Sequence, residues 1–329
     1  MPTDATPPTR GSVPLTPDTS GSPVARIGEP TSPGGGARTG AAGLAGLEPR
    51  VGVPKPDPIL VADGVTRAFG GLVAVEVEHL EVQRGAITAL IGPNGAGKTT
   101  FFNLLTGFDK PSAGTWTFEG KKLGGVPAYK VARLGMVRTF QLTKALSRMS
   151  VLENMRLGAT NQRGENFFRA LVPGMWTGQQ RKVDERAHSL LGRFKLDAKA
   201  GDFAGSLSGG QRKLLEMARA LMVEPTMVML DEPMAGVNPA LTQSLLGHVK
   251  DLREQGMTVL FVEHDMDMVR DISDWVVVMA QGRVVAEGPP DVVMADQAVI
   301  DAYLGGHHDA PLTFEQEQAQ LEAAQEDHR

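Results

Sequence analysis

The chain has 329 residues, of which 41% are hydrophobic and 22% are charged, a composition typical of globular proteins. Its formal net charge of −5 at pH 7 gives no overall basic field, so we expect no nucleic-acid partner. The absence of cysteine excludes disulfides, thiolate zinc sites and cysteine nucleophiles.

The N-terminal segment differs in composition from the rest of the chain. Residues 1–57 are rich in Pro, Gly, Thr and Ser. Such a segment buries too little apolar surface to offset the entropy lost on ordering. We therefore expect a disordered extension at 1–57 and a folded domain over 58–306. The polar, Gln- and Glu-rich residues 307–329 are expected to form a frayed tail.

Alternating apolar and polar residues predict two strands near the start of the folded domain, in "ILVADGVTRAF" and "VEVEHLEV". The short apolar run "AITALIG" predicts a buried strand, and "FFNLLTG" predicts a helix that ends at Gly107. Between Gln141 and Ser206 the sequence is helical and basic in character. We expect a helical subdomain at about 142–225, inserted between strands of the core.

The second half of the domain contains two further apolar runs that predict buried strands, "TMVMLDEP" and "TVLFVEHD". The segment "DWVVVMAQGRVVAEG" predicts a hairpin with Gln281 and Gly282 at its turn. This order of elements predicts an α/β fold, in which an antiparallel β start is followed by strands that alternate with helices around a largely parallel core.

The segment "GPNGAGKTT" matches the pattern G-x-x-x-x-G-K-[ST] between a predicted strand and a predicted helix, the context of a phosphate-binding P-loop. Backbone N–H groups of such a loop and the positive end of the helix dipole favour phosphate oxygens. Lys98 is expected to reach the β and γ phosphates, and the Thr99 hydroxyl is expected to bind Mg²⁺. The residues expected to bind nucleotide here are Gly92, Pro93, Asn94, Gly95, Ala96, Gly97, Lys98, Thr99 and Thr100.

Two acidic residues follow the apolar part of "MVMLDEP". Because ligands bind at the carboxyl ends of parallel strands, Asp231 is expected to hold Mg²⁺ through a water molecule. Glu232 is expected to orient or deprotonate the attacking water. These residues indicate nucleoside-triphosphate hydrolysis without separating a transporter ATPase from a GTPase or a small-molecule kinase. The base-reading motif N-K-x-D, which a GTPase usually carries, is absent from the sequence.

The segment "LSGGQ" at 207–211 resembles the signature motif of ABC (ATP-binding cassette) ATPases, and it lies upstream of "VMLDEP" as in that family. Its serine can cap the following helix, and its two glycines expose N–H groups as a second anion site. In the family this turn covers the γ-phosphate held by the other subunit. The resemblance therefore implies that a partner's ATP is bound by Ser208, Gly209, Gly210 and Gln211.

Three further residues match elements of the family, and a fourth departs from one. By this resemblance, Gln141 in "VRTFQ" touches the Mg²⁺ site and relays to a membrane subunit, and His264 contacts the γ-phosphate. The resemblance thus implies a catalytic set that also includes Glu232 and Lys98. Phe69 resembles the aromatic residue that stacks on adenine, with a core position as the alternative. In "MAGVNP", Asn238 stands where many members have Asp, which keeps the hydrogen bonding but removes a charge.

The resemblance covers residues 58–305 and extends to one branch of the family. The segments "IGPNGAGKTTFFNLLTG", "RTFQ", "LSGGQRKLLEMARAL", "LDEPMAGVNP" and "AYLGG" are similar to the ATP-binding subunit of branched-chain amino acid importers. Urea and short-chain amide importers share this pattern. A non-transport ABC ATPase acting on ribosomes or DNA is the alternative from another class. The fold implied is a P-loop ABC ATPase core with an antiparallel β subdomain and an inserted helical subdomain, and the cofactors implied are ATP and Mg²⁺.

The resemblance also implies an assembly. Two cassettes would bind two ATP between them, and the second cassette would be a sister chain or another copy of this chain. Two transmembrane permease subunits and, indirectly, an extracytoplasmic solute-binding protein would complete it. No apolar run approaches the roughly 20 residues of a membrane-spanning helix, and the N-terminus lacks the pattern of a signal peptide. We therefore expect a peripheral location on the cytoplasmic face of the plasma (inner) membrane.

Overall fold

The computed structural model describes residues 40–139, 146–160 and 177–305. Its strands within these ranges are β1 (Pro58–Phe69), β2 (Leu72–Gln83), β3 (Ile87–Ile91), β4 (Ala113–Phe118), β5 (Lys121–Lys122), β6 (Met136–Arg138), β7 (Met227–Asp231), β8 (Thr258–Val262), β9 (Trp275–Ala280) and β10 (Arg283–Gly288). Its helices are α1 (Lys98–Leu105), α2 (Ala128–Arg133), α3 (Val151–Gly158), α4 (Thr177–Arg193), α5 (Gly209–Ala220), α6 (Pro239–Glu254), α7 (Met266–Ile272), α8 (Pro290–Met294) and α9 (Gln297–Gly305). None of the described helices combines the length and the apolar character of a bilayer-spanning segment.

The described strands form two sheets. The smaller sheet has the order β2-β1-β4-β5, and its pairs are antiparallel. The larger sheet has the order β10-β9-β3-β8-β7-β6. Its five strands β9, β3, β8, β7 and β6 pair in parallel, and β10 is antiparallel to β9. The predicted fold class, with an antiparallel start and a largely parallel core, is thus confirmed.

Each face of the larger sheet is buried against a different set of elements. On β3, Ile87, Ala89 and Ile91 join an apolar cluster with side chains from α3 to α7. Leu90 belongs to a second cluster, which includes α1 and the smaller sheet. Because both faces are covered, all five residues of β3 are buried, and its sequence does not alternate between apolar and polar residues.

Helices α3, α4 and α5 follow β6 and precede β7, in the region where the sequence predicts a helical subdomain. Their apolar side chains do not form a cluster of their own. They share one continuous cluster with α6, α7 and the larger sheet. This part of the chain is therefore tied to the sheet by hydrophobic packing in the described ranges, while the segments at 140–145 and 161–176 lie outside the described residues.

The predicted hairpin is formed by β9 and β10. Its turn residues, Gln281 and Gly282, have φ values of 48° and 82°, the positive pair that a two-residue type I′ turn requires. The Gly282 amide donates to the Ala96 carbonyl at 3.1 Å, and its carbonyl accepts from the Glu76 amide at 2.7 Å. The turn thus joins the P-loop to β2.

Residues 40–57 depart from the expected disordered extension. A short 3₁₀ helix spans Gly40–Leu44, and Leu44 is buried. Lys55 is also buried, and its ammonium donates to a carboxylate oxygen of Glu287 at 2.9 Å. The Trp275 indole donates to the same oxygen at 2.9 Å. Composition misses this packing because the ion pair joins residues 232 positions apart. The rest of the expected extension and the expected tail at 307–329 lie outside the described residues.

Candidate nucleotide site

The P-loop and the acidic residues meet at the carboxyl edge of the larger sheet. Strand β8 lies between β3, which leads into the P-loop, and β7, which ends at Asp231. In the strand register, Leu90 of β3 and Asp231 of β7 both pair with Val262 of β8. The three strands therefore end at one level, and His264 follows the middle one.

Two P-loop glycines are required by close backbone approaches. Gly92 has a φ of 145°, and a Cβ added there would lie 2.0 Å from the Met279 carbonyl oxygen. Gly97 has a φ of 94°, and its added Cβ would lie 2.4 Å from the Ala74 carbonyl oxygen. These neighbours belong to β9 and β2, so the loop is wedged between the two sheets. Gly95 differs, because a Cβ there would meet nothing within 4 Å.

Lys98 opens α1, and its ammonium lies along the P-loop. The Nζ atom donates to the Gly92 carbonyl at 2.6 Å and to the Pro93 carbonyl at 2.9 Å. Burial lowers the pKa of Lys98 from its ordinary value, and the negative charges of Glu232 and Asp231 oppose that shift. The cation and both acids thus lie close enough for their charges to interact across the loop.

Asp231 is paired with a residue that sequence reasoning missed. The Arg138 guanidinium donates through Nη2 to Oδ2 of Asp231 at 2.6 Å, and both side chains are only 4% exposed. Through Nη1 it donates to Oδ1 of Asn103, on α1, at 2.6 Å. The available signal was the arginine in "VRTFQ", because β6 and β7 are parallel neighbours that end at the same edge.

Glu232 has an unusual backbone for a residue with a side chain. Its φ is 45°, in the region that favours glycine. Its amide donates to the Val262 carbonyl at 3.0 Å, and its carbonyl accepts from Nζ of Lys213 at 2.9 Å. Strain of this kind persists where the surrounding structure enforces it and is concentrated at functional sites. Lys213, from the helix that follows the signature turn, was a second residue missed from the sequence.

The end of β8 carries two residues in contrasting environments. Glu263 is buried, and its carboxylate accepts from the Met234 amide at 3.0 Å. Burial raises the pKa of Glu263 above its ordinary value, although the Met234 hydrogen bond opposes this. The side chain of His264 is 68% exposed. The buried acid therefore holds the segment after Glu232, whereas the histidine faces outward from the same edge.

The signature turn forms a helix start as the sequence predicts. Ser208 caps α5, because its hydroxyl accepts from the Gln211 amide while the Gln211 side chain accepts from the Ser208 amide. Ser208 and Gly209 are exposed, whereas Gly210 is buried. A Cβ added at Gly210 would lie 1.9 Å from Cδ2 of Leu241. The first glycine thus presents its backbone to the outside, and the second packs against α6.

Three residues singled out in the sequence remain: Phe69, Asn238 and Gln141. Phe69 ends β1 with 49% of its surface exposed, which rules out the alternative of a core position. The Arg67 guanidinium carbon lies 4.4 Å from its ring centroid. Asn238 caps α6 by accepting from the Leu241 amide at 2.9 Å. Gln141 lies outside the described residues.

The donor set at this edge suits a magnesium ion that arrives with phosphate. Within 40–139, 146–160 and 177–305, no three His, Asp or Glu side chains gather as a metal cage. Mg²⁺ usually takes one or two carboxylates and completes its shell with water and substrate phosphates. The Asp231 carboxylate and the hydroxyl of the exposed Thr99 are oxygen donors of that kind.

This chain combines two features. One is a P-loop between a strand and a helix, with acidic residues at the end of a neighbouring strand, and the other is a capped glycine turn at the start of a second helix. Together they define the class of nucleotide-binding cassettes. The family model described as "ABC transporter" matches residues 76–235, and that described as "Branched-chain amino acid ATP-binding cassette transporter" matches residues 283–309.

Two relatives match most of the chain. The probable branched-chain amino acid transport ATP-binding protein LivG of Archaeoglobus fulgidus is 41% identical over 247 residues, which are 75% of this chain and 95% of the relative. The high-affinity branched-chain amino acid transport ATP-binding protein BraF of Pseudomonas aeruginosa is 41% identical over 251 residues, 75% of this chain and 98% of the relative.

Solved structures of ABC-transporter cassettes are also similar to this chain. A nucleotide-free ATP-binding cassette from an ABC transporter is 36% identical, with a TM-score of 0.66 over 74% of this chain and 98% of the other. An ABC-transporter cassette in its ADP conformation is 35% identical, with a TM-score of 0.65 over 75% of this chain and 99% of the other. The chain belongs to the ABC transporter family, as an ATP-binding cassette with ATPase activity.

Proposed function

We propose that this chain hydrolyses ATP as one of the two cassettes of an importer for branched-chain amino acids. The observation that carries the proposal is the presence of two phosphate-type sites on one chain. One is the P-loop edge with its acids, and the other is the capped turn at 208–211, in which Ser208 and Gly209 are exposed. The cargo class is supported by relatives whose names specify branched-chain amino acid transport at 41% identity.

The P-loop would hold the phosphates of ATP through its amides. The Lys98 ammonium, now shared by two backbone carbonyls, would take the β and γ phosphate oxygens as partners. The exposed Phe69 ring would stack on adenine. Nucleotide contacts are proposed for the whole of residues 92–100.

Thr99, Gln141 and Asp231 are the residues proposed to hold Mg²⁺, which when bound neutralises charge on the phosphate oxygens. Glu232 is proposed as the residue that orients or deprotonates the attacking water. Its backbone is held on both sides, by Val262 and Lys213, so its carboxylate starts from a fixed point. The exposed His264 would contact the γ-phosphate from the end of β8.

The turn at 208–211 would close on the ATP of a second cassette, a sister chain or another copy. ATP would then bind more tightly to the closed pair than to the open one, and this difference is what lets it drive closure. Two membrane permease subunits would follow the movement, with a solute-binding protein on the far side of the membrane. We place the chain peripherally on the cytoplasmic face of the plasma membrane.

The test is affinity purification of the tagged full chain from native membranes in mild detergent, with identification of the chains that co-purify. We expect two multi-span membrane proteins, a second cassette and a solute-binding protein that binds leucine, isoleucine or valine. A co-purifying solute-binding protein specific for urea or a short amide would change the proposed cargo but leave the proposed importer function in place. Ribosomal or DNA-bound partners without membrane chains would overturn the transport function.

A further inference from the structure

The Arg138 cluster consists of Arg138, Asp231, Asn103 and Phe102. Besides the two hydrogen bonds already described, the Arg138 guanidinium carbon lies 5.5 Å from the centroid of the Phe102 ring. The cluster joins three elements, since Arg138 ends β6, Asp231 ends β7, and the other two residues belong to α1. A buried cation therefore sits on the carboxylate proposed as the Mg²⁺ ligand.

The charge of this cation bears directly on that carboxylate. The hydrogen bond from Arg138 runs to Oδ2 of Asp231, so it occupies one of the two oxygens of the carboxylate proposed to hold the metal. With both side chains 4% exposed, water screens the pair poorly. A carboxylate that already balances one positive charge attracts a second cation less strongly than an isolated carboxylate does.

We propose that Arg138 is a positioning residue that keeps Asp231 neutralised, so that a divalent cation enters the site only together with the nucleotide. The phosphates of ATP would supply the negative charge that the Arg138–Asp231 pair lacks. The hydrogen bond from Arg138 to Asn103 holds the guanidinium against the helix that begins at the P-loop. The inference rests on the proposed function of Asp231 as a metal ligand.

The experiment measures binding of Mn²⁺, a spectroscopic substitute for Mg²⁺, to the full chain by electron paramagnetic resonance, with and without ATP. Without ATP, the wild-type chain should bind Mn²⁺ no more tightly than the Asp231→Asn variant does. Arg138→Gln, which keeps an amide donor but removes the charge, should bind Mn²⁺ without ATP about tenfold or more tightly than wild type. That gain should disappear in the double variant with Asp231→Asn.

Asn103→Ala is the matched control, because it removes a hydrogen bond of Arg138 and leaves the charge pair in place. It should show no gain of Mn²⁺ binding without ATP. Circular dichroism and ATP binding in EDTA establish that each variant is folded. Tight, Asp231-dependent Mn²⁺ binding by the wild-type chain without ATP overturns the inference even if Arg138→Gln does not fold.

The two possible failures are distinguishable. If ATP-supported Mn²⁺ binding is the same in wild type and Asp231→Asn, the metal role of Asp231 in the proposed function is wrong. If that binding depends on Asp231 but a folded Arg138→Gln gains nothing without ATP, only the role of Arg138 is wrong.

Discussion

At the scale of single residues, the P-loop glycines are distinguished by what surrounds them. Gly92→Ala would place a methyl group 2.0 Å from a backbone oxygen of Met279, which cannot move aside as a side chain could. We expect a loss of about 3 kcal/mol or more in the free energy of unfolding, together with loss of ATP binding. Urea denaturation and equilibrium ATP binding measure both quantities.

Gly95→Ala is the matched control for this prediction. Its φ is 78°, but an added Cβ meets nothing within 4 Å. It should cost about 1–2 kcal/mol, from backbone strain alone. Equal losses for the two variants would show that close approach is not what requires glycine at position 92.

Tyr303 provides a prediction about pH. Its hydroxyl oxygen is buried. Burial raises its pKa from 10.0 to about 12, although the nearby Gly92 amide opposes the shift. Because the unfolded chain releases this proton first, the stability that the buried neutral phenol contributes is present below pH 10 and lost as pH rises toward 12.

The chain has two tyrosines, so the prediction can be isolated. In Tyr129→Phe, the absorbance of the remaining phenolate should appear near pH 12 while the chain stays folded. The free energy of unfolding of Tyr303→Phe, compared with wild type, should decline less between pH 10 and 12. A phenolate already formed at pH 10 would contradict the burial argument.

At the scale of elements, the segment before β1 is fastened by one buried ion pair. Lys55→Met would leave the Glu287 carboxylate without its cation. Water cannot replace that cation, because both side chains are only 1% exposed. We expect a loss of about 3–5 kcal/mol in the free energy of unfolding. The double variant with Glu287→Gln should recover part of it, since no buried charge then remains unbalanced.

Arg181→Met is the control for the ion pair. It breaks a pair with Glu185 whose side chains are 83% and 61% exposed, and exposed pairs contribute little. In thermal melts, the melting temperature of this variant should equal that of wild type. A Lys55→Met protein as stable as wild type would show that residues 40–57 are not fastened through this pair.

Sequence reasoning succeeded where a pattern is local. The apolar run of β3, the hairpin turn at 281–282 and the Ser208 cap all depend on neighbours within a few residues, and the structure contains each of them. It failed for Lys55 and Arg138, whose partners lie 232 and 93 positions away. Such pairs exist only once the strand order has brought their elements together.

At the scale of the whole molecule, the proposed pairing of two cassettes leads to a prediction about association. Glu232→Gln should retain ATP binding, lose turnover and accumulate as a closed pair with ATP, visible by size-exclusion chromatography with light scattering. Adding Ser208→Arg should abolish the pair and leave ATP binding intact, because the exposed Ser208 lies at the turn proposed to face the partner. If a sister cassette co-purifies with this chain, it is added to the sample in this experiment.

The control is Ser206→Arg, an exposed serine two residues before the turn, which should leave the pair intact. Persistence of the pair in the Ser208→Arg variant would mean that the turn does not bind a partner's nucleotide. A Glu232→Gln protein with normal ATPase activity would remove Glu232 from the proposed mechanism.

The hydrogen bond from Lys213 to the Glu232 carbonyl has a consequence for the pair. Helix α5 begins with the turn proposed for the partner's ATP, and its fifth residue holds the backbone of the glutamate proposed for its own ATP. In the proposed dimer, a rotation of α5 on the partner's nucleotide would therefore shift Glu232 in its own site. Two sites connected in this way influence each other, so the dependence of the rate on ATP concentration should depart from a hyperbola, and Lys213→Met should reduce that departure.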